Sequence, residues 1–426
     1  MRSWRNCVSL PRTLFLMHEI NVVSNMIEIK DKKDCCGCWA CENACPKHCI
    51  SMVEDKEGFR YPLVDKNTCI DCHLCEKVCP VINAKADVAK EQKAFLLQHK
   101  DEKVLHESAS GGAFTAIASY VIERRGVVFG AAYDREFQVT HQYVETYEDL
   151  KIFRNSKYVQ SLMGNAYLQV KEFLKQGRMV CFSGTPCQLE GLLNYLRKPY
   201  ENLVTVDVMC HSITSPKIFR MYVEMQKEKY GDDIENIMFR DKKPYGYKYS
   251  SMSVYRGGKQ VYKEGVETDV YLRSFFCDMN VRPSCFDCKF KKQHHLTDFT
   301  IWDCFDVRKF SKEMDNDKGV TRILANTDKA NQILLDMNKV ARIIEIPVGD
   351  AVSGVKEMLH SVKMNPRRSA FYQECSKGNY LSLQTFFPVS TRAVLEKNIR
   401  LTLCRLGIYS FIKRLAKALI KDFKRS

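Results

Sequence analysis

Two runs of cysteine near the start of the chain have the residue type and spacing of metal ligands. The first is Cys35-x2-Cys38-x2-Cys41-x3-Cys45-Pro46, and Cys69-x2-Cys72-x2-Cys75-x3-Cys79-Pro80 repeats it 34 residues later. In this pattern three close thiolates wrap one [4Fe-4S] cluster, and the fourth, before proline, binds the other cluster. The predicted ligands are therefore Cys35, Cys38, Cys41 and Cys79 for one cluster, and Cys45, Cys69, Cys72 and Cys75 for the other.

Two other uses of so many cysteines are disfavoured. Tetrahedral zinc sites pair two C-x2-C units and have no use for a third cysteine followed by proline. Disulfide scaffolds are typically short, whereas this chain has 426 residues, and eleven of its 20 cysteines precede residue 80. We therefore expect metal ligation in a reducing compartment and a cytoplasmic protein. The extra cysteines of this region, Cys36 and Cys49, are interpreted as packing thiols.

A second set of cysteines is scattered along the chain but could meet at one point. Cys187 and Cys210 each follow a predicted strand, and strand ends in α/β sheets are where ligands bind. Together with the Cys285-x2-Cys288 pair they could hold a third [4Fe-4S] cluster. Zinc or unligated cysteines remain alternatives, because C-x2-C is a common spacing. Cys181 and Cys304 are predicted to lie in the core.

A glycine-containing turn, Ser110-Gly111-Gly112, leads into a predicted helix. Free backbone N–H groups at such a turn suit a phosphate, such as that of a flavin or dinucleotide. The same turn is also an ordinary helix cap. No G-x-G-x-x-G follows a strand, so an ordinary nicotinamide Rossmann site is disfavoured.

The elements that must position these residues divide the chain into several parts. We predict an extension over 1–25, a two-cluster domain over 26–84, a linker over 83–93, an α/β domain over 94–350 and a basic helical tail over 366–426. Within the α/β domain, strands alternate with helices, from strand 94–98 through helix 112–124 to strand 203–209, which favours a largely parallel sheet. Its N-terminal part is expected at about 94–170 and its C-terminal part at about 178–350. Residues 245–275 favour antiparallel hairpins with a Gly257-Gly258 turn. The predicted fold class is α+β.

The formal charge of +15 is concentrated at the end of the chain, where residues 391–426 carry ten basic and two acidic residues. Apolar residues there repeat at spacings of three and four: Ile408, Phe411, Ile412, Leu415, Leu419 and Phe423. A basic amphipathic helix can lie on an anionic membrane surface, bind an acidic protein or dock on its own domain. Nucleic acid is disfavoured as a partner, because no recognised module accompanies the charge. No run of about 18 apolar residues predicts a membrane span.

The motifs of the α/β domain resemble those of the coenzyme F-420 hydrogenase and dehydrogenase beta subunit family. The resemblance rests on the Ser110 and Cys187 regions, on residues 239–246 (Phe-Arg-Asp-Lys-Lys-Pro-Tyr-Gly) and on residues 298–303. It implies a flavoprotein that binds FAD, with Cys187, Cys210, Cys285 and Cys288 as cluster ligands. The residues that it implies for the flavin site are Ser110, Gly111, Gly112, Lys157, Tyr158, Gly184, Thr185 and Gln188.

The function that follows from this resemblance is an iron–sulfur flavoenzyme. Electrons would pass from a soluble ferredoxin or another redox donor, through the clusters and a flavin, to an organic two-electron acceptor. The alternative is an electron-transfer subunit of a larger redox complex without its own substrate site. His211, beside Cys210, is the candidate for proton transfer, and His294 and His295 are candidates by position only.

Overall fold

The structure is a computed structural model that describes residues 27–249, 251–378, 381–409 and 412. The predicted extension over 1–25 and most of the predicted apolar face of the tail lie outside these residues. No helix in the described ranges is long and apolar enough to cross a bilayer.

The N-terminal domain consists of a hairpin and two short helices. Strands β1 (Ile50–Glu54) and β2 (Arg60–Val64) pair antiparallel, and helices α1 (Ala40–Ala44) and α2 (Leu74–Lys77) pack together. A residue in the left-handed conformation precedes each helix, Trp39 with φ 67° and His73 with φ 58°. Both lie between the second and third cysteines of their motifs. The sequence repeat is therefore also a repeat of backbone conformation.

The strands that follow form one large sheet and one small sheet. They are β3 (Lys93–His99), β4 (Val127–Tyr133), β5 (Val139–Val144), β6 (Val180–Gly184), β7 (Leu203–Val208), β8 (Ile234–Met238), β9 (Ser251–Arg256), β10 (Lys259–Gly265), β11 (Phe299–Asp303), β12 (Thr321–Ala325) and β13 (Ala341–Ile346). The large sheet has the order β13-β3-β12-β11-β7-β6-β4-β5, and the small sheet has the order β10-β9-β8.

The large sheet is mixed, which confirms a mixed α/β architecture, whereas the predicted parallel pairing holds only for its centre. Neighbours β4, β6, β7 and β11 run in one direction, whereas β12 is antiparallel to both β11 and β3. Strands β5 and β13 are antiparallel at the two margins. Because parallel strands end on the same side, the segments after β4, β6, β7 and β11 meet at one margin, which we call the carboxyl edge.

The helices after the linker connect these strands or extend beyond them. They are α3 (Glu102–Glu107), α4 (Ala113–Ile122), α5 (Ala166–Lys175), α6 (Pro186–Leu196), α7 (Pro216–Tyr230), α8 (Val270–Phe276), α9 (Asp328–Asp336), α10 (Val348–Val352), α11 (Lys356–Leu359), α12 (Arg368–Cys375), α13 (Leu381–Phe386) and α14 (Thr391–Arg405). Short 3-10 turns occur at Lys32–Asp34, Glu148–Phe153, Pro283–Asp287, Val307–Lys309 and Met337–Lys339.

Local sequence explains where several of these elements begin and turn. Helix α6 begins at Pro186, directly after the cap residue Thr185. The side chains of Thr185 and Gln188 form a reciprocal capping box. Hairpin β9–β10 turns at Gly257 and Gly258, with φ values of 54° and 67°, as the Gly-Gly signal predicted.

Apolar residues bury both faces of the large sheet. Val180, Cys181 and Phe182 in β6 are fully buried, as expected for a central parallel strand, and Cys304 is buried too. These positions confirm the prediction that Cys181 and Cys304 lie in the core. Phe371 and Leu383 anchor the first tail helices against the core formed by α7 and α8.

Candidate metal centres and cofactor site

One group of thiols, which we call the first thiol group, gathers beside α1. The thiol of Cys41 interacts electrostatically with those of Cys35 and Cys79, and the thiol of Cys38 does so with Cys41 and Cys79. Cys79 belongs to the second motif and thus reaches across to the first. These positions are compatible with the crossed arrangement, and the assignment of the four ligands stays a prediction.

The second thiol group lies around a pocket of about 350 Å³ between the hairpin and α2. Its lining includes four predicted ligands: Cys45, Cys69, Cys72 and Cys75. Cys49 also lines this pocket, with its sulfur 3.3 Å from that of Cys45. Cys49 therefore packs directly against a predicted ligand.

The third thiol group lies at the carboxyl edge, in a pocket of about 410 Å³. Cys187 is in the first turn of α6, Cys210 follows β7, and the turn at Pro283–Asp287 supplies Cys285 and leads to Cys288. All four cysteines line the pocket. Cys187 and Cys210 are brought together because β6 and β7 are adjacent parallel strands, and the later turn adds Cys285 and Cys288.

The chemistry of the third thiol group suits an iron–sulfur cluster. Burial raises the pKa of Cys285 to about 12 and that of Cys288 to about 11, and burial also raises the pKa of Cys210. Metal ligands must be thiolates, so bound iron would have to displace the protons of these three thiols. Among the described residues, no three Cys, His, Asp or Glu side chains converge on a single metal ion. A cubane is larger than one ion and binds each thiolate at a separate iron.

The first and third thiol groups meet at Cys36. The side chain of Cys36 is buried in the same core as those of Cys38 and Cys187, and its thiol lies near both. Helix α6 also approaches Cys38 closely. A Cβ added to Gly191 of this helix would lie 3.0 Å from the Cβ of Cys38. The predicted packing thiol therefore lies between two predicted ligand sets.

The Ser110-Gly111-Gly112 turn is held by contacts within the protein. The Gly111 N–H donates to Thr321 Oγ1 at 2.9 Å, and Ser110 Oγ donates to the Val320 carbonyl at 2.8 Å. A Cβ on Gly111 would lie 2.3 Å from the Leu97 carbonyl oxygen, so the close backbone approach requires glycine. The turn keeps Ser110 at the carboxyl edge.

Lys157 and Tyr158 lie on the segment between β5 and α5. The Lys157 ammonium is buried, donates to the carbonyls of Ile152 and Arg154, and has a pKa lowered by burial to about 7. The Tyr158 ring stacks on Phe275 with centroids 4.5 Å apart. Lys157 therefore supports the loop, whereas Tyr158 presents its hydroxyl to neighbouring side chains.

Gly184, Thr185 and Gln188 form the turn from β6 into α6. The Gln188 side chain accepts from the Thr185 N–H at 3.0 Å and donates to Ser161 Oγ at 2.9 Å. The Thr185 hydroxyl lies 3.1 Å from the Cys187 sulfur. These contacts place Cys187 at the third thiol group.

A chain of polar contacts, which we call the polar network, joins Tyr158 to Ser110 across the carboxyl edge. Arg240 Nη1 lies 3.3 Å from the Tyr158 hydroxyl and donates to Asp303 Oδ2 at 2.7 Å. Tyr247 donates to Asp303 Oδ1 at 3.0 Å and lies 3.3 Å from Ser110 Oγ. Two predicted flavin residues, distant in sequence, therefore share one network.

The polar network has an open donor and an exposed aromatic ring. The Nη2 atom of Arg240 is buried without a hydrogen-bond partner in the described structure. The ring of Phe305 is about half exposed and stacks on Tyr247 at 5.2 Å. Arg240, Tyr247 and Asp303 were not predicted as site residues, although Arg240 and Asp303 lie in segments that carry the family resemblance. Only their spatial meeting identifies them.

The predicted histidines have different surroundings. His211 lines the third thiol pocket, and its Nε2 lies 2.9 Å from Asp278 Oδ1. His294 pairs with Asp87 on the linker, whereas His295 is buried, pairs with Asp207 and lines the third thiol pocket. Proton transfer by His211 stays a prediction.

Comparison with known proteins identifies two segments. Residues 34–83 match the model of the 4Fe-4S dicluster domain, and residues 177–350 match that of the C terminus of the coenzyme F420 hydrogenase/dehydrogenase beta subunit. No curated protein matches the chain. A solved chain from the xenon-derivatised F420-reducing [NiFe] hydrogenase complex of Methanosarcina barkeri aligns over 69% of this chain and 90% of its own, at 16% identity and a TM-score of 0.41.

The two family matches confirm the resemblance inferred from the sequence. The first covers both cysteine motifs, and the second covers the third thiol group together with Arg240 and Asp303. Residues 34–83, which we call the dicluster domain, are thus similar to 4Fe-4S dicluster domains, and residues 177–350 are similar to the C terminus of coenzyme F420 hydrogenase/dehydrogenase beta subunits.

Proposed function

We propose that this chain is an iron–sulfur flavoprotein oxidoreductase that passes electrons from a ferredoxin-type donor to an organic two-electron acceptor. The first and second thiol groups would each hold a [4Fe-4S] cluster, and the third thiol group would hold another. An FAD at the polar network would receive the electrons. The observation that carries this proposal is the contact of Cys36 with both Cys38 and Cys187.

That contact supports a continuous route for electrons. Cys38 is a predicted ligand of the cluster in the first thiol group, and Cys187 is a predicted ligand in the third. The thiol of Cys36 lies near both of these residues, and all three side chains are buried in the same core. A cluster at each place would therefore have its neighbour only a few side chains away.

The arrangement of the carboxyl edge favours a flavin next to the third thiol group. The unpartnered Nη2 of buried Arg240 suits an anionic or carbonyl oxygen, and the half-exposed Phe305 suits a planar ring. When bound, a flavin supplies the conversion between single electrons and a two-electron transfer. Residues of this chain would orient the flavin. Arg240 would donate its free N–H, and Tyr158 and Ser110 would contact it from the two ends of the polar network.

A second candidate function is an electron-transfer subunit without its own substrate site. Two observations favour it. The matched family model describes a beta subunit of hydrogenases and dehydrogenases, and several predicted flavin contacts, including the Gly111 N–H and the Gln188 amide, are already satisfied within the protein. This alternative differs from the first in predicting clusters without a stably bound flavin.

Cofactor content separates the two candidates. After anaerobic purification we expect about 12 iron atoms, about 12 sulfide ions and one FAD per chain, since each [4Fe-4S] cluster contributes four of each inorganic atom. Iron, sulfide and released flavin should be measured on one sample. About 12 iron without flavin, even after FAD is added, would favour the electron-transfer subunit.

Arg240 gives a direct test of the flavin site. We expect Arg240→Lys to weaken FAD binding about 10- to 100-fold, because a hydrogen bond to a charged group contributes about 1.5–3 kcal/mol and a single ammonium nitrogen cannot pair with Asp303 and also occupy the position of Nη2. Lysine keeps a positive charge beside Asp303, so the fold should survive. The measurement is titration of FAD into flavin-free protein, followed by flavin fluorescence.

The control for this variant is Arg256→Lys. Arg256 is exposed on the small sheet, where it pairs with Asp233. Equal FAD affinity in the wild-type protein and both variants would show that Arg240 does not bind the flavin.

A further inference from the structure

The third thiol pocket contains a buried histidine whose second ring nitrogen is not used by the protein. His295 is 3% exposed and lines the pocket together with Cys187, Cys210, Cys285 and Cys288. Its Nε2 atom is buried without a hydrogen-bond partner among the described residues. An unpaired buried nitrogen is costly, so a group in the pocket is expected to satisfy it.

The other ring nitrogen of His295 is firmly held. His295 Nδ1 lies 2.9 Å from Asp207 Oδ1, and Asp207 is fully buried near the end of β7. The hydroxyls of Thr297 and Thr300 donate to the other oxygen of this carboxylate. Since a carboxylate only accepts, Nδ1 must carry a proton. This contact fixes the orientation of the ring, as carboxylates do for histidines beside metal sites.

Charge determines what the free nitrogen presents to the pocket. A cluster with four thiolate ligands is anionic, so the lone pair of a neutral Nε2 would face negative charge, whereas a protonated Nε2 would donate to it. Burial disfavours the charged ring, but the Asp207 carboxylate outweighs this effect and the pKa of His295 is raised. Nearby Lys292 pairs with Glu190, and Lys291 donates to the carbonyls of Cys210, His211 and Glu357.

We propose that His295, oriented by Asp207, donates a hydrogen bond from Nε2 to the cluster held by the third thiol group and thereby raises its reduction potential. Hydrogen bonds to cluster sulfurs stabilise the more negative, reduced state and are one of the determinants of cluster potential. His295 is thus a positioning and tuning residue and not a ligand. This inference rests on the proposed function, because it requires the third cluster to be present.

The test is the variant His295→Asn in the full chain, purified without oxygen. The asparagine amide can occupy the place of Nδ1 and keep the bond to Asp207, while the Nε2 donor is lost. We expect about 12 iron atoms per chain, as in the wild type, and one of three reduction steps moved to lower potential. At the wild-type midpoint of that step, the ratio of reduced to oxidised cluster should fall about tenfold, which corresponds to about 59 mV for one electron.

Potentiometric titration followed by electron paramagnetic resonance measures this shift, and His294→Asn is the matched control. His294 is adjacent in sequence but pairs with Asp87, outside the pocket. Unchanged potentials in His295→Asn with about 12 iron atoms would overturn the inference alone. About 8 iron atoms in the wild type would overturn it together with the third cluster of the proposed function.

A second experiment does not depend on folding of the variant. In the wild-type chain labelled with ¹⁵N-histidine, pulsed electron paramagnetic resonance of the reduced third cluster should show a weak ¹⁵N coupling. If His295→Asn does not accumulate, absence of this coupling overturns the proposal.

Discussion

Replacing Cys285 with alanine is expected to lower the iron content from about 12 to about 8 atoms per chain, because a cubane that loses one of its four thiolates is not retained. The side chain is buried, and its sulfur accepts from the Ile213 N–H at 3.4 Å. The eight cysteines of the dicluster domain remain, so its two clusters should persist. Iron and sulfide analysis, together with the visible absorption of the protein, measures the loss.

The matched control is Cys304→Ala. Cys304 is buried, as Cys285 is, but its sulfur is near Asp306, away from the third thiol pocket. Both variants remove one sulfur from the interior and should cost similar stability. Equal iron content in Cys285→Ala and Cys304→Ala would contradict a cluster at the third thiol group.

The dicluster domain was predictable because its information is local. Two cysteine motifs with a following proline are enough to predict the ligands and their crossing, and the thiol of Cys79 lies near those of Cys35 and Cys41. Strand 94–98, helix 112–124 and strand 203–209 were also predictable, since each has its own apolar period, whereas α3 and β5 in the same range were not predicted. Local signals of this kind need no knowledge of the partner elements.

The polar network was not predictable in the same way. Arg240 and Asp303 are 63 residues apart, and nothing in either segment specifies that they pair. Asp303 ends β11 of the large sheet and Arg240 follows β8 of the small sheet, so their contact depends on how the two sheets lie relative to each other. The role of Cys36 has the same origin, because its contact with Cys187 depends on how the dicluster domain docks on α6. Residue types and spacing therefore predict the ligands, whereas their neighbours depend on the tertiary fold.

The docking of the dicluster domain depends on Arg282, which is the target of the second prediction. Its guanidinium is fully buried and donates to the Cys35 carbonyl at 2.8 Å, to Gln160 Oε1 at 2.9 Å and to the Arg60 carbonyl at 3.0 Å. It also lies over the Tyr61 ring, 4.4 Å from the centroid. Arg282 thus links the α/β domain to two parts of the dicluster domain, the first cysteine motif and the hairpin.

We expect Arg282→Met to destabilise the protein by about 3–5 kcal/mol, because three buried acceptors lose a donor and each buried polar group left unsatisfied costs about 1–3 kcal/mol. Methionine fills similar space but leaves the two carbonyls and the Gln160 side chain without a donor. The contact that keeps Cys35 and Cys36 against the third thiol group should loosen. Thermal unfolding under anaerobic conditions measures the stability, and loss of iron in air measures access to the first cluster.

Arg367→Met is the control, because Arg367 is exposed. Its side chain lies over the Phe386 ring and donates to the Phe386 carbonyl. A surface substitution of this kind should change stability by no more than about 0.5 kcal/mol. If Arg282→Met were as stable as this control and kept its iron equally long in air, the dicluster domain would not depend on Arg282 for docking. Some other contact would then have to hold Cys36 near Cys187. Among the described residues, Arg282 is the side chain that holds the neighbouring Cys35, through both its carbonyl and its sulfur. Loss of stability together with faster loss of iron would instead tie the docking of the two domains to protection of the first cluster.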